Sequence, residues 1–182
     1  MQDTIRATVR MLWWRGLVGD VLEPEIMPFL QTLVPNWVNG CSMRINETGT
    51  VVVVTDASRI TFAMLKNVLE ALDGQMGLLL VSRNGVATQN QNLVTHATRL
   101  HIVAWTLVLL YPLDHQLVPR HRKATVEDLK LLPRGTLRRP SCLPAIRSDD
   151  AIVQYLGLKV GDIVRIDRLD HTVYFRMVIS SR

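Results

Sequence analysis

The chain has 182 residues, of which 48% are hydrophobic and 20% charged, with a formal net charge of +5; this balance excludes a wholly disordered polypeptide and suits one or two globular domains. The charge is lopsided: residues 117–182 carry 13 Lys/Arg against 7 Asp/Glu, whereas residues 1–116 carry 8 against 9, so two parts with different surroundings are expected. Two cysteines, Cys41 and Cys142, exclude a disulfide scaffold, and the apolar run from Ile102 to Leu113 falls short of the roughly 20 residues a membrane helix needs. A soluble, intracellular protein in a reducing compartment is therefore expected.

The elements follow in chain order. Ile5, Val9, Leu12 and Trp13 recur at helical spacing, and Gly16 and Gly19 supply stop signals. A second helix follows Asp20, with Pro24 in its first turn. Ser42–Ile45 and Val51–Thr55 read as a hairpin around Asn46-Glu47-Thr48-Gly49. The run Val51-Val52-Val53-Val54 suits a strand buried on both faces. Ile60–Leu72 has the 3.6 period, Met76–Val81 is a strand, and Thr88–Ala97 a helix. Ile102–Ala104 and Leu107–Tyr111 read as further strands. These elements give an α/β (α+β) domain with a mixed sheet, and Pro112 and Pro119 bracket a junction that divides the chain into 1–112 and 113–182.

The second part is smaller. Thr125–Leu132 reads as a short helix with Thr125 as N-cap and Asp128 completing a capping box. Ser148 or Asp149 caps a helix through Leu156, and Gly157 takes the left-handed C′ position. Gly161-Asp162 turns into the strand Ile163–Ile166, and Val173–Ile179 is the last strand. From Leu129 to Ser148 five cations (Lys130, Arg134, Arg138, Arg139, Arg147) stand without a carboxylate. Such a stretch is either a solvated loop or a contact for a polyanion.

Catalytic patterns are weak. Asp56 at a strand end lacks the second carboxylate of a metal-dependent nuclease. There is no G-x-S-x-G and no phosphate-binding glycine loop. His115 and His121 lack partners at metal spacing, and no metal or cofactor is implied. A free-standing basic DNA-binding or regulatory module is the alternative. It would want aromatics among its cations, and the 129–148 stretch has none.

Two linked motifs carry more information: His115-Gln116-Leu117-Val118-Pro119-Arg120-His121, and Leu143-Pro144-Ala145-Ile146 followed by Asp150 to Gly157 and Leu158 to Ile166. In order and spacing they resemble the assembly domain of the fifth shared subunit of eukaryotic nuclear RNA polymerases, a module that in the archaeal polymerase stands alone as a small subunit. The opening helix with Gly16, the Val51–Asp56 strand, the Gly77–Val81 strand and the helix from Thr88 follow the eukaryotic family's order. The resemblance implies a jaw-like N-terminal domain beside downstream duplex DNA and a C-terminal module docked on the largest polymerase subunit by edge strands and a basic loop. The protein would be non-catalytic, nuclear (nucleolar if it serves polymerase I), apart from membranes and not a homo-oligomer. Expected partner-binding residues are Tyr155, Gly157, Lys159, Gly161, Arg165, Arg168 and Arg176. Arg44, Arg59 and Arg83 are candidates for phosphate contacts with DNA. The family's Asp-Pro-Val-Ala-Arg-Tyr is here Asp150-Ala151-Ile152-Val153-Gln154-Tyr155, and its Arg-Pro after the strand is Arg168-Leu169. These departures suggest a divergent paralogue serving one polymerase class.

Overall fold

The computed structural model describes residues 2–17, 40–45, 50–56, 60–61, 63, 66, 77–84, 100–133, 136 and 142–181. It forms two compact units, residues 1–110 and 111–182. The expected helices after Asp20 and over Thr88–Ala97, and the turn at 46–49, lie outside the described residues. Of the helix over 60–72, positions 63 and 66 are described and helical.

In the first unit, helix α1 (Gln2–Trp14) buries Thr4, Ala7, Thr8, Met11 and Leu12, one stripe at the i, i+3, i+4 spacing. The Thr8 hydroxyl meets its own helix, donating to the Thr4 carbonyl at 2.7 Å. Gly16 ends α1 at φ 68°. The Gly16 N–H bonds to Trp13 O at 2.9 Å and the Leu17 N–H to Leu12 O at 3.0 Å, the paired closure of a Schellman motif. Four strands follow: β1 (Gly40–Ile45), β2 (Thr50–Thr55), β3 (Gly77–Ser82) and β4 (Leu100–Ala104), in spatial order β1-β2-β3-β4. β1 is antiparallel to β2, while β2, β3 and β4 run parallel. Val51–Thr55 and Leu78–Ser82 are buried at every position, as strands covered on both faces must be.

One element differs from expectation. Leu107–Tyr111 does not form a strand; Trp105–Leu109 is a short helix, α2, packed against α1. Its adjacent buried residues are Leu107 and Val108, so the apolar run has neither clean alternation nor a full helical repeat, and a run this short is ambiguous between the two periods.

The second unit carries a separate sheet: β5 (Arg120–Lys123), β6 (Ala145–Arg147), β7 (Ile163–Asp167) and β8 (Val173–Ile179), in the order β5-β7-β8-β6. β7 is antiparallel to β5 and β8, and β6 is parallel to β8. Helix α3 (Val126–Leu129) follows β5, and α4 (Ala151–Leu156) follows β6. Ile146, Val153, Val164, Ile166 and Val178 form the core, with Leu158 packed against it. The mixed strand directions in both units make this an α+β protein.

The N-cap of α4 is Asp150, not Ser148 or Asp149: its carboxylate accepts the Ile152 N–H at 2.8 Å. Asp149 instead forms a fork with Arg147, at 2.8 and 2.6 Å. α4 closes at Gly157, φ 67° and ψ 30°, where Gly157 N–H meets Gln154 O at 3.1 Å and Leu158 N–H meets Val153 O at 3.0 Å. This repeats the α1 closure, and Leu158 supplies the hydrophobic contact that accompanies it.

Candidate docking surface

The second unit's surface is organised around a carboxylate. Thr125 caps α3, with Asp128 completing the capping box. The Asp128 Oδ2 accepts the Thr125 N–H and hydroxyl, each at 2.8 Å. Arg122 reaches the same carboxylate through both terminal nitrogens, the second at 2.8 Å, and Arg165 joins it at Oδ1. The Asp128 side chain is only 6% exposed. The Arg122 hydrogen bond first, then the Thr125 N–H, hold its carboxyl far below the usual carboxylate range. Arg165 also donates from Nε to Asp167 at 2.7 Å. Its proton is held more tightly than usual, by Asp167 first and Asp128 second.

A second carboxylate, Asp162, ties the α4–β7 turn to the sheet edge. It meets Lys123 Nζ at 2.7 Å and accepts the Lys159 N–H at 2.9 Å. The turn itself needs Gly161, at φ 92°. The strand β5 was not expected from the sequence: four consecutive basic residues carry no strand pattern, and β5 is held as an edge by pairing with β7 and by these acids.

The first motif forms a braced loop. The His115 carbonyl accepts the Val118 N–H at 2.9 Å, and His115 Nδ1 accepts the Leu117 N–H at 3.2 Å. His121 Nδ1–H donates to the Pro119 carbonyl at 2.6 Å. Both histidines thus shape backbone.

The expected partner-binding residues separate into three kinds. Tyr155 is 0% exposed, so it is a core residue and offers no surface to a partner. Arg165 is half-buried and committed within the chain. Gly157 and Gly161 set left-handed turns. Lys159, Arg168 and Arg176 are exposed. The Arg168 guanidinium lies over the Tyr174 ring, 4.0 Å from its centroid, and Arg176 makes no ion pair among the described residues. Of the 129–148 cations, Lys130 pairs with Glu127 at 2.6 Å and Arg147 with Asp149 at 2.6 Å; Arg134, Arg138 and Arg139 lie outside the described residues.

In the first unit, Arg44 stands in β1 opposite Val51, and Arg59 lies outside the described residues. Arg83 is exposed just after β3, with its guanidinium 5.4 Å from the Trp105 ring centroid. Among the described residues no helix is long and apolar enough to cross a membrane, and no group of three or more His, Cys, Asp or Glu could hold a metal.

The second unit is thus a small α+β module, a sheet flanked by α3 and α4, in which Arg122 and Arg165 are fastened to the buried Asp128 and Lys123 to the turn carboxylate Asp162. The sequence family described as RNA polymerase Rpb5, C-terminal domain, matches residues 111–178. The DNA-directed RNA polymerase subunit Rpo5 of Sulfurisphaera tokodaii is 36% identical over 73 residues, covering 38% of this chain and 87% of the relative. That of Pyrococcus horikoshii is 41% identical over 70 residues, covering 36% and 85%. The Archaeoglobus fulgidus protein is 39% identical over 74 residues, covering 36% and 92%. The chain belongs to the Rpb5 family of RNA polymerase subunits.

Proposed function

We propose that this protein is a non-catalytic, architectural subunit of a DNA-directed RNA polymerase. Its second unit docks on the largest subunit, and its first unit serves as a jaw-like domain beside downstream DNA. The observation that carries this reading is the coincidence of one compact unit, residues 111–182, with the family match over 111–178. The exposed cations Lys159, Arg168 and Arg176 are its contact candidates, together with the turns set by Gly157 and Gly161. Arg44, Arg59 and Arg83 approach DNA phosphates, a sequence-neutral contact. Polymerase chemistry belongs to the large subunits. The protein acts in the nucleus, in the nucleolus if it serves polymerase I, and does not form a homo-oligomer. The departures at Gln154 and Leu169 favour service to one polymerase class.

The test is purification of the tagged full chain from its own cells, with mass spectrometry of the partners. Co-purification of the large polymerase subunits of one class is expected. Recovery as an unaccompanied monomer, or metal-dependent turnover by the pure protein, sinks the architectural reading; equal recovery of all three nuclear polymerases sinks the class-specific part alone.

A further inference from the structure

Two turns of the second unit converge on one cleft. The 115–119 loop contributes Gln116, Leu117 and Pro119, and the β7–β8 turn contributes Arg168, Leu169 and Asp170, around a cavity of about 320 Å³. Leu117 and Leu169 stand 81% and 84% exposed. Single exposed leucines are ordinary, but these two line the same cleft.

Both turns are stiff. His115 Nδ1 holds the Leu117 N–H. On the other side the Arg168 N–H bonds to Thr172 O and the His171 N–H to Arg168 O, each at 3.0 Å. Asp170 accepts the Thr172 N–H at 3.0 Å and its hydroxyl at 2.5 Å, bonds that hold its carboxyl below the usual range. The two leucines are therefore presented by fixed backbone, and little ordering entropy is lost when a partner binds. Arg168 is likewise fixed by its place over Tyr174. Tyrosine and arginine are among the residues in which binding energy concentrates, and here an oriented arginine lies over a tyrosine beside the two leucines.

The charge says what kind of partner fits. Residues 117–182 carry 13 cations against 7 carboxylates. Within the cleft the Asp170 carboxylate is engaged by Thr172, whereas Arg168 is exposed and meets Asp170 by field alone. An incoming carboxylate can take a forked bond from that guanidinium. The size of the cavity admits one bulky apolar side chain, and the two leucines contribute to its lining.

We propose that this cleft is a docking socket for an extended acidic segment of a partner polymerase subunit, with an apolar side chain between Leu117 and Leu169 and a carboxylate on Arg168. The socket rests on the reading of the chain as a polymerase subunit and adds the place and the chemistry of the contact.

The experiment uses the full chain in its own cells. A photo-crosslinking residue replaces Leu117 in one strain and Leu169 in another, and the crosslinked peptides are sequenced. In parallel, the double variant Leu117→Asp, Leu169→Asp and the single variant Arg168→Glu are scored for co-purified polymerase, with thermal melting as the control for folding. Crosslinks to one acidic, apolar-containing segment of a polymerase subunit are expected, and recovery of polymerase should fall about tenfold or more in the double variant. Crosslinks to a second copy of this chain or to nucleic acid overturn the socket. So does their absence while polymerase is still recovered, and in each of these cases the polymerase reading stands. Failure of the unsubstituted chain to recover any polymerase subunit overturns both.

Discussion

Arg122 and Arg165 are register partners across β5 and β7, and both close on the same carboxylate, that of Asp128. Like charges directly opposite on a sheet repel. Here the pair is stable only because Asp128 stands between the two guanidinium groups, held in place by the Thr125 cap. The capping box thus does more than start a helix: it carries the counter-charge for the first strand pairing of the unit.

The consequence is a dependence on pH. The Asp128 carboxyl is lowered in the folded chain, first by Arg122 and then by the Thr125 N–H. A lowered folded value means stabilisation that is complete above the unfolded value, about 3.9, and is lost as the pH falls toward the folded one. The second unit of the wild type should therefore lose stability below about pH 4. Asp128→Asn should melt lower at pH 7 and show a shallower acid limb. Thermal melting between pH 7 and 2 checks this; parallel acid limbs in the two proteins would sink it.

Arg165 and Arg176 should behave differently when reversed in sign. Arg165→Glu places a carboxylate against Asp128 and Asp167 and should lower the melting temperature of the unit. Arg176→Glu changes an exposed residue and should leave stability within about 0.5 kcal/mol while weakening co-purification with the polymerase. A melting curve read beside a pulldown separates the two effects.

The cap of α4 can be checked the same way. Asp150→Ala should cost about 1 kcal/mol, the usual loss for an N-cap carboxylate, because the Ile152 N–H is left without its acceptor. Asp149→Ala removes an exposed fork with Arg147 and should be nearly silent. Urea denaturation of the two variants distinguishes them, and the reverse order of effects would return the cap to Asp149.

Tyr155→Ala removes a wholly buried side chain from α4 and should destabilise the unit by about 3–5 kcal/mol through the cavity it leaves. Any loss of polymerase binding in this variant should follow unfolding, so binding should recover wherever the folded fraction does. Binding lost from a fully folded Tyr155→Ala chain would contradict its place in the core.

Much of this architecture was legible from the residues. The Val51–Thr55 and Gly77–Val81 strands show as unbroken apolar runs, because both faces are covered. Thr125, Asp128 and Gly157 announce their roles, because caps depend on local backbone chemistry that the sequence carries directly. Leu107–Tyr111 misled, because a short apolar run does not separate strand from helix. The basic strand β5 was illegible: it is held by pairing with β7 some forty residues on, with its charges met by Asp128 and, from farther along the sequence, Asp162. The same holds for the site. Lys159, Arg168 and Arg176 could be picked as surface cations, whereas Arg165 looked equivalent to them until its ion pairs tied it within the chain, and Tyr155 until packing placed it in the core. The cleft between Leu117 and Leu169 was missed because its walls come from two loops about fifty residues apart.

The order β5-β7-β8-β6 puts the last strand of the chain in the sheet's interior, with β7 on one side and β6 on the other. β6 is only three residues long and among the described residues pairs with β8 alone, so it must wait for β8. During translation this unit can form its helices and the β5–β7 pairing early, but the sheet cannot close until Ile179 has left the ribosome. A nascent chain stalled before that point would leave one edge of β7 unpaired and the unit's core without Val178.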